Sequence, residues 1–470
     1  MSTSHSRTHA HTHPNPRIGR RGLLLLGVLA GCGGGGGAPA EAPQVMAFSA
    51  DKTAYTVGER ARLLAVFKGG EGRVEPGIGP VRSGVAVDTP PLDAGKTYEL
   101  TVTAADGRQV RQLLLIAAGP REEFQALPTP LAAAGHQAVR AADGAVLLIG
   151  GSRGGNAPSA QISRFVPGAD RFEDFGQLRI ARRDHSATRL ANGQILVVGG
   201  NTLQSQSDTA ELVDEVSGLS ILLAPLQAGR MEHRATLLVD GQVLVTGGVA
   251  RLRSDQGRIA ELWNPADRQF RAAAQPMQRR RAAHSATLLA DGRVLVFGGY
   301  QAESASYLGA EIYDPRSGGF TPLELPAGLG SAGAPRANHA AVRLSDGSVL
   351  IAGGEDAGNS LPLASVLRFD PASDSFTRLP NLPEARTAAV AVVDATDEVL
   401  LLGGYAETAP AAFSTTALAY HPTRGGRRLA APMSRRQAHS ATRLLDGRVL
   451  IVGGELGGGP GLQTQALLFR

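Results

Sequence analysis

Apolar and polar positions over residues 281 to 326, RAAHSATLLADGRVLVFGGYQAESASYLGAEIYDPRSGGFTPLELP, group into runs the length of strands. His284 to Leu289 reads as a first strand, and Asp291-Gly292 as a two-residue turn whose positive-φ positions suit Asp and Gly. Arg293 to Phe297 is an apolar second strand ended by Gly298-Gly299. After a polar loop come a third strand at Ala310 to Tyr313, an Asp314-Pro315 turn and a fourth strand around Phe320. A four-stranded sheet of this size cannot cover both its faces, so it needs copies of itself.

The copies are present. Gly-Gly recurs at Gly150-Gly151, Gly199-Gly200, Gly247-Gly248, Gly298-Gly299, Gly353-Gly354, Gly403-Gly404 and Gly453-Gly454, with starts 49, 48, 51, 55, 50 and 50 residues apart. Fourteen residues before the first Gly stands a histidine in six of the seven copies: His136, His185, His233, His284, His339 and His439, with Ala389 in the sixth. Three residues earlier is an arginine, again in six of seven: Arg182, Arg230, Arg281, Arg336, Arg386 and Arg436, with Ala133 in the first. This order of arginine, apolar strand, Asp-Gly, hydrophobic run, Gly-Gly and aromatic-Asp-Pro resembles the kelch repeat. The resemblance covers Pro120 to Arg470 and implies four strands per unit in a β-propeller.

The ends of that stretch fit together. Ala466 to Arg470 aligns with a third strand, and Glu123-Phe124-Gln125-Ala126-Leu127-Pro128 resembles the fourth strand at Phe320 to Pro326. The strand before the first copy is therefore expected to complete the last sheet, removing exposed edges. The expected fold class is all-β, a seven-bladed kelch-type β-propeller over residues 119–470, preceded by a small Ig-like β-sandwich over 45–118. The latter rests on alternation from Val45 to Ile116, with Tyr98, Leu100 and Val102 on one face. Asp93-x-Gly95-x-x-Tyr98 resembles the tyrosine corner of immunoglobulin-like domains. Such domains most often act as spacers.

Residues 1–31 read as a leader. Arg17, Arg20 and Arg21 precede a short apolar run, Gly22 to Ala30, too short for the ~20 residues of a membrane span. Leu29-Ala30-Gly31-Cys32 resembles a bacterial lipobox, which implies that Cys32, the only cysteine, carries a lipid. The expected place is the cell envelope, lipid-anchored, at the outer membrane. Residues 32–44 are a Gly/Ala/Pro tether with no pattern for a core. The leader holds four arginines and no acid, so its removal lowers the net charge from +5 to +1. A nucleic-acid partner is therefore not expected, and no disulfide can form within one chain. His5, His9, His11 and His13 lie in the leader and are given no function.

The loops after each Gly-Gly vary in length and lie on the same side as the arginines, where a rigid scaffold concentrates binding residues. The six arginines have two readings. Either each braces a blade against its neighbour through backbone carbonyls, which regular repetition favours, or together they ring the channel mouth and hold a carboxylate, sulfate or phosphate. The six histidines read as hydrogen-bonded strand residues, because positions repeated once per sheet cannot gather on one metal ion. Glu211, Glu261 and Glu311 recur at fixed phase and read as partners between blades. Galactose oxidase shares the pattern, but that family's cofactor needs a Cys-Tyr crosslink and Cys32 is committed elsewhere. No catalytic residue, metal or cofactor is expected. The function expected is non-catalytic binding of a protein or carbohydrate ligand, an anionic one included, by a monomer. The alternative is a periplasmic carbohydrate-active enzyme of the sialate mutarotase type.

Overall fold

The second strand of every repeat is apolar at almost all positions, and only burial on both faces makes such a run stable. In the computed structural model these runs, among them Val146–Ile149, Val294–Phe297 and Val449–Val452, are buried at every residue. The structure describes residues 41–470 except 53, 93–94, 120–121, 129–132, 154–156, 249–257, 302–303, 308, 326–335, 357–360, 395, 407–412 and 457–460. Cys32, the leader, most of the tether and Asp93 lie outside the described residues. Two units divide between Gly119 and Pro120.

In the first unit, Gln44–Ala50, Arg62–Lys68 and Ala86–Asp88 form one sheet. Five strands, among them Lys96–Thr103 and Gln109–Gly119, form the other. Phe48, Leu63 and Phe67 from one sheet and Val74, Tyr98, Leu100 and Val102 from the other share one core.

The second unit contains seven four-stranded antiparallel sheets among the described residues. Sheet 1 begins with Gln137–Arg140, sheet 2 with Ser186–Arg189, sheet 3 with Arg234–Leu237 and sheet 4 with Ser285–Leu288. Sheets 5, 6 and 7 begin with Ala340–Arg343, Val390–Val393 and Ser440–Arg443. These first strands neighbour one another in succession, and that of sheet 7 returns to that of sheet 1, so the sheets form a ring. Apolar clusters fill the spaces between neighbours: Val146, Phe165 and Leu468 between sheets 1 and 7, and Phe297, Val349 and Phe369 between sheets 4 and 5.

The fourth strand of sheet 7 is Phe124–Pro128, paired with Gln465–Phe469. Its register follows from the aromatic pair at each outer edge. Phe124 meets Phe469 at 4.9 Å between ring centres, as Phe320 meets Tyr313 at 5.0 Å and Phe376 meets Phe369 at 5.0 Å. The N-terminal segment thus occupies the place its aromatic predicts.

Candidate functional site

The stretch entering each first strand alternates between wall and axis. In sheet 2 it reads Arg182-Arg183-Asp184-His185, with Arg182 and His185 buried and the two residues between them partly exposed.

The arginines belong to the wall. Arg182, Arg230, Arg281, Arg336, Arg386 and Arg436 are at most 2% exposed. Arg182 donates from Nη1 to the carbonyls of Gly199 at 2.7 Å and Thr209 at 3.0 Å, and from Nη2 to Glu211 at 2.8 Å. Its own carbonyl accepts from Gly151 of sheet 1 at 2.9 Å, so one residue ties two sheets. The others repeat both halves. Each guanidinium reaches the carbonyl of the first Gly in its own sheet, and each main-chain carbonyl takes the second Gly N–H of the preceding sheet. At the seventh junction Ala133 keeps the carbonyl half, accepting from Gly454 at 2.8 Å.

This corrects the reading of a cationic mouth: the six guanidinium groups are sealed inside the wall and face no ligand. Glu211, Glu261 and Glu311 are equally buried. They pair with Arg182, Arg230 and Arg281, and also accept backbone N–H groups of Ile180, Gln227 and Gln278 from the preceding connection. Burial lowers the pKa of these arginines, to about 10 for Arg336 and Arg436, which leaves them charged at neutral pH.

The histidines fill the same junctions. Nε2 of His136, His233 and His339 meets the hydroxyl of Ser440, Ser186 and Ser285 at 2.8 Å, each serine following the histidine of the preceding sheet. His284 bonds Thr246 instead, at 2.9 Å, because Arg234 stands where the serine would be. His185 and His439 find no partner among the described residues, since Gln137 and Val390 precede them around the ring. Burial holds His136 down to about 4 and His233, His339 and His439 to about 3, with His185 and His284 well below the usual range, so all six are neutral. The Gly-Gly pair fits beside them. A Cβ on Gly199 would lie 2.5 Å from the Arg230 carbonyl and 2.9 Å from the His233 ring, and φ there is +61°.

The residues just before the histidines form an inner ring: Gly135, Asp184, Glu232, Ala283, Asn338, Ala388 and Ala438, all with φ between 50° and 64°. Gly135 donates to Ala438 at 2.9 Å, Asp184 to Gly135 at 2.8 Å and Ala388 to Asn338 at 2.9 Å, so backbone bonds run round the axis. Beside this ring stand the residues after Gly-Gly, among them Tyr300, Glu355, Tyr405 and Glu455, paired to the preceding segment of their own sheets.

Here the repeat breaks, and polar groups from different sheets converge. Tyr300 donates to Glu232 at 2.7 Å, Asn338 to Glu355 at 3.0 Å, and Gln437 to Glu455 at 3.0 Å while accepting from the Tyr405 hydroxyl. Arg183 pairs with Asp184 at 3.2 Å. The Asp184 carboxylate leans over Gly135, where a Cβ would touch it at 2.4 Å. Burial pushes the Asp184 carboxyl up to about 6; Arg183 opposes this, and Glu232 and Glu455 add to it. Tyr405 stacks on Phe413 with ring centres 4.3 Å apart. None of these mouth residues stands out in the sequence. The one signal is that they vary beside fixed neighbours: Asp184, Glu232 and Asn338 between a recurring arginine and histidine, and Tyr300, Glu355, Tyr405 and Glu455 just after Gly-Gly.

A family model described as the kelch motif matches residues 335–383, which carry Arg336, His339 and Gly353-Gly354. Among solved structures, a fungal alcohol oxidase of the AA5 family in complex with copper is similar. It shares 15% identity at a TM-score of 0.61, over 74% of this chain and 76% of that chain. No curated protein matches the sequence. The chain is an all-β protein with a kelch motif and a galactose-oxidase-like, β-propeller-like fold. At this identity the likeness concerns the fold alone. Among the described residues no three His, Cys, Asp or Glu side chains group to hold an ion.

Proposed function

We propose that the ring is a seven-bladed kelch-type β-propeller that binds a protein or glycan ligand without catalysis, at the mouth on its long-loop face. The N-terminal unit would serve as an Ig-like spacer, and a lipid on Cys32 would tether a monomer to the outer membrane. One observation carries the binding site. Repetition in the wall, six arginines and six histidines over seven sheets, gives way at the mouth to Asp184, Glu232, Glu355, Glu455, Tyr300 and Tyr405, which the fold does not require. Tyrosines with carboxylates and amides suit peptide or sugar hydroxyl groups and amides.

The test is a glycan and peptide array probed with the full chain carrying Cys32→Ala, beside the same protein with Glu232→Gln and Tyr405→Phe. A ligand retained equally by both proteins rules the mouth out. Anchoring is checked by fractionation: Cys32→Ala should leave the membrane fraction, and its staying there removes the tether.

A second reading draws on Asp184. A carboxyl with a pKa near 6 beside Glu232 is what a general acid–base pair needs. Under it the protein opens a sugar ring, as a mutarotase does. Acceleration of anomer exchange by the parent, abolished in Asp184→Asn, would establish it.

A further inference from the structure

Six of the seven positions that follow the inner-ring histidine place are small or uncharged: Gln137, Ser186, Ser285, Ala340, Val390 and Ser440. The seventh, in sheet 3, is Arg234. Where this position is serine, its hydroxyl bonds the histidine of the next sheet, as Ser186, Ser285 and Ser440 do. Arg234 gives up that duty, and Thr246 takes over the bond to His284. The substitution has therefore been compensated, which leaves the guanidinium available for something else.

Its surroundings say where it stands. Arg234 is solvent-exposed, unlike the six wall arginines, yet its charge acts on His233, His284 and His339 of sheets 3, 4 and 5. It opens Arg234–Leu237, the first strand of sheet 3, which lies between the first strands of sheets 2 and 4 in the innermost circle of strands. Its one hydrogen bond among the described residues is a long one, 3.4 Å to the carbonyl of His233, and no carboxylate there lies within ion-pair distance. A guanidinium has five N–H donors and no way to shed its charge. Desolvation among the neighbouring sheets lowers the Arg234 pKa, and the charge of Glu232 opposes that shift.

We propose that Arg234 is an anion-binding residue on the propeller axis and holds an oxyanion, a carboxylate, sulfate or phosphate, of the ligand that enters through the mouth. This deepens the mouth reading and rests on it. A planar fork with no ion-pair partner among the described residues suits bidentate binding of such a group. The mouth carboxylates set a selection: a free anion must pass Glu232, Asp184 and Glu455, whereas a ligand that offers them hydrogen-bond donors and carries its anion further in satisfies both layers. An anionic ligand is thus expected after all, through an arginine that breaks the repeat rather than the six that keep it.

The experiment uses the full chain carrying Cys32→Ala, with inorganic phosphate and inorganic sulfate as probes and chloride at equal ionic strength as reference. In the parent, phosphate or sulfate should raise the melting temperature in a saturable way, since binding to the folded state alone stabilises it. Arg234→Ser should lose that rise and melt no lower than the parent in chloride, because it restores the hydroxyl its neighbours use. Arg234→Lys should keep the rise with about tenfold weaker affinity. An equal rise in Arg234→Ser, or none in the parent, overturns the proposal. So does a marked loss of stability in Arg234→Ser without anion, which would make the residue structural. Array ligands that bind Arg234→Ser as well as the parent would leave the mouth standing and remove only the axial site.

Discussion

The wall between sheets and the mouth at the axis are built from alternate residues of one short stretch, Arg182-Arg183-Asp184-His185 in sheet 2 and Arg436-Gln437-Ala438-His439 in sheet 7. The outer pair of each stretch is buried and repeats; the inner pair is accessible and varies. A wall junction must meet the same carbonyls seven times over, so its chemistry is dictated by the backbone. The mouth meets no such demand. Its Tyr300 holds Glu232 and its Arg183 pairs with Asp184, and their identity is left to whatever the axis has to bind. Repetition marks what holds the ring, and exceptions mark what it can do.

That contrast is open to direct attack, most severely at the closure. Deleting Glu122–Pro128 strips the edge from Gln465–Phe469 and removes Phe124 from Phe469. The shortened protein should lose its single cooperative transition in calorimetry, and an unchanged melt would refute closure by this strand. Next comes the wall: Arg281→Ala leaves Glu311 buried without its partner and should cost about 3–5 kcal/mol. Glu232→Gln at the mouth should change stability by no more than about 0.5 kcal/mol. Comparable losses for the two would erase the distinction between wall and mouth.

Acid should act on the wall before the mouth. The six histidines have folded-state pKa values far below the ~6.5 of an unfolded chain. Above pH 6.5 both states are neutral and stability is complete. As pH falls toward 4 the unfolded chain takes up protons that the folded one refuses, and each histidine withdraws up to about 1.4 kcal/mol per pH unit. Asp184 opposes this, since its raised pKa lets the folded state bind a proton first between about 6 and 4. The net slope should be destabilising, and His185→Gln, which removes a ring without partners, should make it shallower; an unchanged slope would mean that His185 is not held neutral. The smallest effect expected in the wall is at Ser440: replacing it by Ala removes one hydrogen bond to His136 and should cost about 1 kcal/mol. A loss of the size expected for Arg281→Ala would show that the histidine, and not the arginine, carries the junction.

Much of this was legible beforehand. Gly-Gly spacing marks every sheet because both glycines need positive φ and neither has room for a side chain. Phe124 announces closure because the outer strands of sheets 4 and 5 likewise set an aromatic against one on the strand before. The direction of the arginines was legible only as the reading that regular repetition favoured, bracing through backbone carbonyls, set against a cationic mouth. An arginine read from sequence is a charge seeking water, and only the carbonyls of Gly199 and Thr209 explain why it turns inward. Glu211, Glu261 and Glu311 gave half of that answer, being at the right phase to pair. The mouth was hidden for the opposite reason: Asp184, Glu232, Ala283, Asn338 and Ala438 occupy equivalent places and differ in chemistry from sheet to sheet, so no repeat pattern can collect them.

The pairing of Phe124–Pro128 with Gln465–Phe469 also sets an order in time. The strand that completes sheet 7 leaves the ribosome first among the ring's strands, and its partner leaves last. At about 5–20 residues per second the interval is roughly 20–70 s, far longer than a hairpin needs to form. Sheets 1 to 6 can therefore assemble as an open arc while Phe124 waits with nothing to cover it. The mouth, whose carboxylates come from sheets 2, 3, 5 and 7, exists only once that wait is over, so a chain interrupted before its last strand has a wall but no site.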